Sequence, residues 1–388
     1  MPKSKIQEIL LIATVDYHFK AFHLPIMQWF QKQGFVVHVA ANGDLDLPYC
    51  DQRFQVPFER SPFGIGNRRA YQQLKKIITG GNYALIHCHT AVGGLLGRVA
   101  ARVARKRGTK VLYTAHGFHF CNGAPLLNWL LYYPIEKFLA RFTDCLITIT
   151  EEDFALAKKH RFSAARIEHV PGVGVDVEKF APLAEEDKKA ERLRLGYKKD
   201  ELLLVYAAEF NENKNQAMLI RALAETKDLR FRLLLAGEGP LMGYCRNLAQ
   251  ELSVADRVNF LGYCNNLKKL LPICDIGVAS SLREGLPVNV MEAMACGLPV
   301  VATANRGHRE LVIDGESGLI VSKADYKQMA MGIRRLATHQ DERKSMGSIG
   351  RKRVDENYSL DRTHQELSRL YLTIKGIVSS DLLIRQKL

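Results

Sequence analysis

Two glutamates, Glu284 and Glu292, stand eight residues apart in the stretch SSLREGLPVNVMEAMACGLPVVAT. Between them, Gly285 allows a sharp turn and a close backbone approach, and Pro287 suits a helix's first turn, where an amide has no partner. Residues Val288 to Ala295 are predicted to be helical, ended by Gly297-Leu298-Pro299 before a strand at Val300–Ala302. A helix that starts there aims free N–H groups and a positive dipole end at whatever lies in front of it, which suits a diphosphate. Carboxylates repel phosphate but accept hydrogen bonds from sugar hydroxyls. With Glu284 ahead of the helix and Glu292 facing inward from it, the segment fits a ligand with a central diphosphate and a sugar ring on each side, as in a nucleotide-sugar. Two solvated glutamates on an amphipathic helix are the plainer alternative. Glu292, however, is embedded in Val290-Met291-Glu292-Ala293-Met294-Ala295, where a charge without a use is costly.

Further residues point to the same chemistry. Lys214, in the loop Ala207-Ala208-Glu209-Phe210-Asn211-Glu212-Asn213-Lys214-Asn215, follows a predicted strand and can meet a phosphate as a point charge. The next strand closes on Leu235-Ala236-Gly237-Glu238-Gly239-Pro240, a weak signal by itself because turns after strands often use glycine. His116, in YTAHGFHF, comes directly after a strand of the N-terminal half. His87-Cys88-His89 and His116-x-x-His119 raise the question of zinc, since His87 and His89 share one face of a strand. No ligand set of usual spacing completes it, so these are read as site or core histidines. No acidic metal motif stands beside the anion site, and no metal is expected to hold the diphosphate.

These residues lie in an alternation of strands and helices that runs through the chain twice. Ile6–Val15, Val36–Ala41, Ala84–His87, Val111–Thr114 and Cys145–Thr150 are predicted strands of the first half, with a helix over Phe22–Gln33. Leu202–Ala207, Arg232–Ala236, Val258–Leu261, Ile276–Ala279, Val300–Ala302 and Gly318–Val321 are those of the second. Alternation of this kind implies an α/β fold with parallel sheets and right-handed crossovers. The turn-rich PGVGVDVEKFAP near Val170–Pro182 marks the link. The expected domains are 1–177, 178–360 and a helical segment 361–388 that crosses back to the first. In such sheets ligands sit at the carboxyl ends of the strands, so the loops after them would line the site.

Composition narrows the function classes. The 388 residues are 47% hydrophobic, enough for real cores, and no apolar run approaches the length that spans a bilayer. The basic start MPKSKIQEILLIATV continues as a strand, so no signal peptide is read, and eight scattered cysteines without a CxxC fit buried thiols in a reducing cytosol. A net charge of +14 is compatible with nucleic acid, an anionic membrane or phosphorylated substrates. Arg68-Arg69, Lys75-Lys76, Arg98, Arg102, Arg105-Lys106-Arg107 and Lys110 concentrate part of it. No aromatic-interleaved basic stripe or zinc-finger spacing accompanies them, so no nucleic-acid partner is expected. Leu11–His18 lacks Gly-x-Gly-x-x-Gly, which argues against a dinucleotide dehydrogenase. PLLNWLLYYPIEKFLARF places Leu127, Leu131, Ile135, Phe138 and Phe142 on one helical face, predicted to pack on the first sheet. Trp129, Tyr132 and Tyr133 with Lys137 and Arg141 also suit a membrane-interface helix.

The Glu-x7-Glu element, the Lys214 loop, the Ala-Gly-Glu-Gly-Pro turn, Phe260-Leu261-Gly262, Gly174-Val175-Asp176 with Phe180, and Gly307-His308-Arg309-Glu310 through Asp314-Gly315 and Gly318 recur in this order in one family. The chain resembles the GT-B glycosyltransferases of family 4, a retaining group, over nearly its whole length and most strongly over 170–325. TVDYHFKAFHLP and TAHGFHF are similar to enzymes that build bacterial exopolysaccharide or capsule, or oligosaccharides on undecaprenyl diphosphate.

The resemblance implies two doubly wound Rossmann-like domains facing across a cleft. It also implies transfer of a hexose or N-acetylhexosamine from a UDP-sugar to a lipid-linked saccharide, the alternatives being a non-transferring GT-B enzyme such as a UDP-sugar epimerase or a basic α/β protein that binds nucleic acid. Glu284 would bind hydroxyls of the transferred sugar and Glu292 the ribose. Lys214 and the Gly285 and Leu286 amides would hold the diphosphate, and Gly237 and Leu261 would flank the nucleoside. His116 would approach the donor sugar or acceptor, with Asp16, Tyr17, His18 and His119 on the acceptor side. Glu209 stands where the family usually has arginine; either Lys214 and the helix end suffice for the diphosphate or another cation, Arg306 or Arg309, serves, and Glu209 would instead meet a donor hydroxyl or amine. No cofactor is expected. Because the basic first domain would dock on an anionic membrane bearing the acceptor, the enzyme would work peripherally at its cytoplasmic face.

Overall fold

The protein's structure, a computed structural model, describes residues 7–61, 64–226 and 230–374. It divides into two compact units, Met1–Val173 with Thr363–Leu388, and Gly174–Arg362. The expected division at 177/178 falls a few residues late. The Val175 amide bonds to the Tyr358 carbonyl and its carbonyl accepts from the Leu360 amide, which ties this stretch to the second unit.

In the first unit, β1 (Glu8–Val15), β2 (Val36–Asn42), β3 (Gln52–Gln55), β4 (Tyr83–His89), β5 (Lys110–Ala115), β6 (Cys145–Thr148) and β7 (Arg166–His169) form a parallel sheet of order β3-β2-β1-β4-β5-β6-β7. Both faces are covered, as the continuous apolar strands require. Leu10 and Ile12 point to a core with Ala70, Leu74 and Ile78 of the helix Gly66–Gly80. Ile9 and Leu11 point to the opposite core with Met27 and Phe30. Leu370 and Tyr371 of the helix Leu360–Thr373 join that second core. This helix is the described part of the C-terminal segment; residues 375–388 of the expected helical end lie outside the described residues.

The single helix expected over Phe22–Gln33 is two, Tyr17–Phe22 and Leu24–Lys32. They meet at His23, with Pro25 in the second helix's first turn, where a missing amide hydrogen costs nothing. The helix Leu126–Ala140 reverses the expected face. Leu127, Leu131, Ile135 and Phe138 are exposed, together with Leu126 and Leu130. Trp129, Tyr132 and Tyr133 pack on the core instead.

In the second unit, β8 (Leu202–Ala207), β9 (Phe231–Ala236), β10 (Val258–Gly262), β11 (Ile276–Ala279), β12 (Val300–Thr303) and β13 (Gly318–Val321) form a parallel sheet of order β10-β9-β8-β11-β12-β13. The helix Val288–Ala295 follows β11 as expected and buries Val290, Met291, Ala293 and Met294. Gly277 lets it approach: a Cβ there would lie 3.2 Å from Ala293 Cβ.

Candidate active site

In the second unit the loops after β8 and β11 bring Lys214 and Glu284 together. Lys214 Nζ donates to Glu284 Oε1 at 2.6 Å, with 22% and 13% of the two side chains exposed. The loops are stitched to each other. The Leu282 amide donates to the Asn213 carbonyl at 2.7 Å. The Arg283 amide donates to Asn213 Oδ1 at 3.1 Å, and Asn213 Nδ2 donates to the Arg283 carbonyl at 3.0 Å. Ser280 Oγ donates to the Lys214 carbonyl at 2.7 Å. The Lys214 backbone is thus held at a fixed point, while its ammonium rests on the Glu284 carboxylate.

Glu284 leads through Gly285 and Leu286 to Pro287, which stands at the N-terminus of the helix Val288–Ala295. The Val290 amide already donates to the Pro287 carbonyl at 3.2 Å and to Asn289 Oδ1 at 3.0 Å, so by helix geometry the Val288 and Asn289 amides are the ones left without an intrahelical acceptor. Gly307 supports this corner. A Cβ at Gly307 would lie 2.2 Å from the Gly285 carbonyl oxygen and 2.9 Å from Glu284 Cβ, so only glycine lets the helix Arg306–Leu311 pack so closely. Arg306 Nη2 donates to the Glu284 carbonyl at 3.4 Å, whereas Arg309 is exposed. Of the two cations weighed as substitutes for the arginine replaced by Glu209, Arg306 is the one at the site. Glu209 itself is exposed and accepts from Asn211 Nδ2 at 3.1 Å.

Glu292 lies one turn further along this helix. Burial pushes its carboxyl up to about 7, and Lys179 partly offsets that. Asn289 Nδ2 donates to the Ala207 carbonyl at 2.8 Å, fixing the helix to the end of β8. Gly237 follows β9 with φ 147°, and a Cβ there would lie 2.1 Å from the Ala208 carbonyl oxygen. Its amide donates at 2.7 Å to the carbonyl of Gly262, next to Leu261 in β10. The loops after β8, β9 and β10 are therefore held as one surface. Sequence reading missed the support behind Glu284. Asn305 Nδ2 and Thr303 Oγ1 both donate to the Ser281 carbonyl, at 2.9 and 2.6 Å. Asn305 also accepts the His308 amide at 2.9 Å as helix cap, and burial holds buried His308 at about 4, hence neutral. Asn305 followed by a helix is a readable capping signal; its second bond is not.

In the first unit, His116 and His119 line a cavity of about 250 Å³ with Thr90, Tyr113, Tyr132 and Glu136. His119 stacks on Tyr132 with ring centroids 4.6 Å apart. Beneath, fully buried Arg98 donates to Glu136 at 2.7 Å and lies 3.8 Å over the Tyr113 ring, so it is no part of a basic surface. Asp16 is committed elsewhere: its carboxylate accepts the Leu45 amide at 2.7 Å, faces Arg53 at 3.9 Å and is buried. Tyr17 is exposed. An Asp-x-Asp that the sequence reading passed over, Asp44-Leu45-Asp46, lies exposed in the loop after β2. His18 joins His23, His89 and His116 in one cluster. Burial is the main cause holding these four imidazoles below the ordinary histidine range, with His116 at about 4, so all are neutral.

Residues 187–353 match the family described as Glycosyl transferases group 1, and residues 8–150 match Glycosyl transferase 4-like. The chain is 48% identical to the putative glycosyltransferase EpsD of Bacillus subtilis, covering 94% of this chain and 96% of that one. It is 26% identical to an Escherichia coli UDP-Gal:alpha-D-GlcNAc-diphosphoundecaprenol alpha-1,3-galactosyltransferase, over 79% of this chain and 80% of that one. Its fold is that of Anabaena Alr3699/HepE, crystallised with UDP and glucose, at 19% identity and a TM-score of 0.78 over 95% of this chain and 100% of the other. The chain belongs to the family 4-like, group 1 glycosyltransferases of GT-B fold.

Proposed function

We propose that this glycosyltransferase moves a hexose or N-acetylhexosamine, with retention of configuration, from a UDP-sugar to a lipid-linked saccharide in bacterial surface polysaccharide synthesis. The observation that carries the reading is the Lys214–Glu284 pair in front of the helix Val288–Ala295. In the resting protein the cation sits on the carboxylate. When a nucleotide-sugar enters, Lys214 turns to the diphosphate, and Glu284 is freed to accept hydroxyls of the transferred sugar. Charge grows on the leaving diphosphate as the glycosidic bond breaks, and Lys214, Arg306 and the helix-end amides are preorganised to meet it without a metal ion. Glu292 accepts from the ribose hydroxyls. The name of the Escherichia coli relative, a UDP-galactose transferase acting on a diphosphoundecaprenol-linked sugar, supports the donor and acceptor classes. The test is a panel of nucleotide-sugars offered with an undecaprenyl-diphosphate-linked saccharide. Release of UDP that depends on the lipid-linked acceptor is expected, and UDP release with soluble sugars alone would overturn the acceptor.

In the same reading the protein works peripherally at the inner face of the cell membrane. No helix among the described residues is long and apolar enough to cross a bilayer. The helix Leu126–Ala140, however, exposes Leu126, Leu127, Leu130 and Phe138, with Lys137 on the same helix and Arg141 just after it. Exposed Arg102, Lys106 and Arg107 add charge, whereas Arg105 is held by Asp144 at 3.0 Å. Apolar side chains beside cations suit an anionic interface, each basic residue adding about 1 kcal/mol. Anionic vesicles should sediment the protein at low salt and release it as salt rises. Leu127→Ser with Leu130→Ser, or Arg102→Glu with Arg107→Glu, should abolish sedimentation and leave UDP affinity unchanged. Equal sedimentation by neutral vesicles, or by the quadruple variant, would remove this surface from the proposal.

A further inference from the structure

Four histidines that are far apart in sequence meet at the carboxyl edge of the first unit's sheet. His18 lies in the helix after β1 and His23 at the junction of two helices; His89 ends β4 and His116 follows β5. One ring nitrogen from each lies within 4.8 Å of the others. His18 Nε2 and His23 Nε2 are 3.0 Å apart, and His89 Nδ1 and His116 Nε2 are 3.3 Å apart. Zinc–nitrogen bonds of about 2.0–2.1 Å in a tetrahedron set an edge of about 3.3 Å. Two of the six spacings thus match that edge, and the 4.8 Å bound on the rest leaves a gap that small rotations of the rings would close round an ion. The neighbouring His87 shows what a finished core histidine looks like here. Its Nδ1 meets Tyr371 Oη at 2.7 Å and its Nε2 meets Thr114 Oγ1 at 2.8 Å, so both ring nitrogens are occupied by hydroxyls. The four clustered rings instead turn nitrogens toward one another. Directly after His89, Thr90 holds φ 62°, a costly conformation for a β-branched residue, fixed by a 2.7 Å contact between its Oγ1 and that of Thr14. Strain of this kind persists where the surroundings enforce a geometry.

We infer that His18, His23, His89 and His116 form a binding site for one divalent transition-metal ion of the zinc type. Four neutral imidazoles suit zinc, cobalt, nickel or copper, and the absence of a carboxylate from the set disfavours magnesium, calcium and manganese. Because the protein supplies all four ligands, the shell is closed and the ion ties together the segments after β1, β4 and β5. His116 Nε2 is then a ligand and is not free to meet a sugar, which is a different role from the one the family resemblance implies.

The full chain, stripped with a chelator, is dialysed and titrated with zinc and separately with cobalt. One equivalent per chain is expected by elemental analysis, with the strong visible absorption of tetrahedral cobalt and a rise in thermal midpoint on reloading. His23→Ala and His89→Ala should each weaken binding by more than about 100-fold, beyond the 10–100-fold typical of losing an outer partner. His339→Ala, an exposed histidine of the second unit, should bind metal as the parent does. If the alanine variants fail to fold, the cobalt spectrum of the unaltered chain decides by itself. Substoichiometric binding without tetrahedral bands, or unchanged binding in folded variants, overturns the site. Stripping is also read by transfer activity: restoration by magnesium or manganese but not zinc would overturn this site and the metal-free diphosphate reading together.

Discussion

Lys214→Ala should lower turnover by about 10²–10³-fold, the loss expected when one preorganised group facing developing charge is removed. Two effects add in the same direction. The cation that meets the leaving diphosphate is gone, and the Glu284 carboxylate that it neutralised, only 13% exposed, faces the incoming phosphates unpaired. Glu284→Ala removes the repulsion but also the acceptor for sugar hydroxyls, so it should slow transfer and spare UDP affinity. The pair also has a structural value, and the double variant separates the two roles. Each single change should destabilise the fold by about 1–3 kcal/mol, because a partly buried charge loses its partner. Lys214→Ala combined with Glu284→Ala should regain most of that stability in thermal unfolding and none of the turnover. Turnover that recovers along with stability would mean that the pair merely braces the loops after β8 and β11.

Much of this site was legible because its parts are local. Glu284, Gly285, Pro287 and Glu292 sit in one continuous stretch whose helix and flanking strands lie where periodicity and turn residues put them. The buried strands were legible for the same reason. β3 and β7 were not: QRFQ and RIEH are edge strands, half-buried or exposed, without an apolar run to announce them. The helix Leu126–Ala140 shows a different limit. It is apolar all round, so periodicity finds two candidate faces and no rule for which one packs. Only the structure shows that the aromatic face does. The histidine cluster marks the strongest limit. The readable pairs, His87 with His89 and His116 with His119, are not the set that assembles. Parallel pairing sets Thr114 opposite His89, and the next turn brings His116 back toward it, while His119 leaves to stack on Tyr132. His18 and His23 arrive from β1's loop, and nothing local in the sequence connects them to β4.

Glu292 should make UDP binding pH-dependent. Burial raises its carboxyl from an ordinary value of 4.5 to about 7 in the ligand-free protein. Ribose hydroxyls donate to the ionised form, so nucleotide binding favours loss of the proton. Affinity should therefore climb as pH rises toward about 7 and flatten above it. The nucleotide's own phosphate titrates in a similar range. The informative quantity is therefore the difference between the parent and Glu292→Gln, in which that phosphate is common. The variant should bind UDP about 10–100-fold more weakly at pH 8, where the parent is charged, and the gap should narrow toward pH 5.5. Stability carries the opposite sign. Between 4.5 and about 7 the folded chain keeps a proton that the unfolded chain has already lost, so folding weakens across that window and is level above it. Glu292→Gln removes this penalty, worth about 3 kcal/mol, and should unfold at a higher temperature than the parent at pH 8 but not at pH 4.5. A site that gives up stability when empty and recovers it as affinity when charged is a ligand site. A parallel loss of stability and binding at all pH values would make Glu292 a packing residue instead.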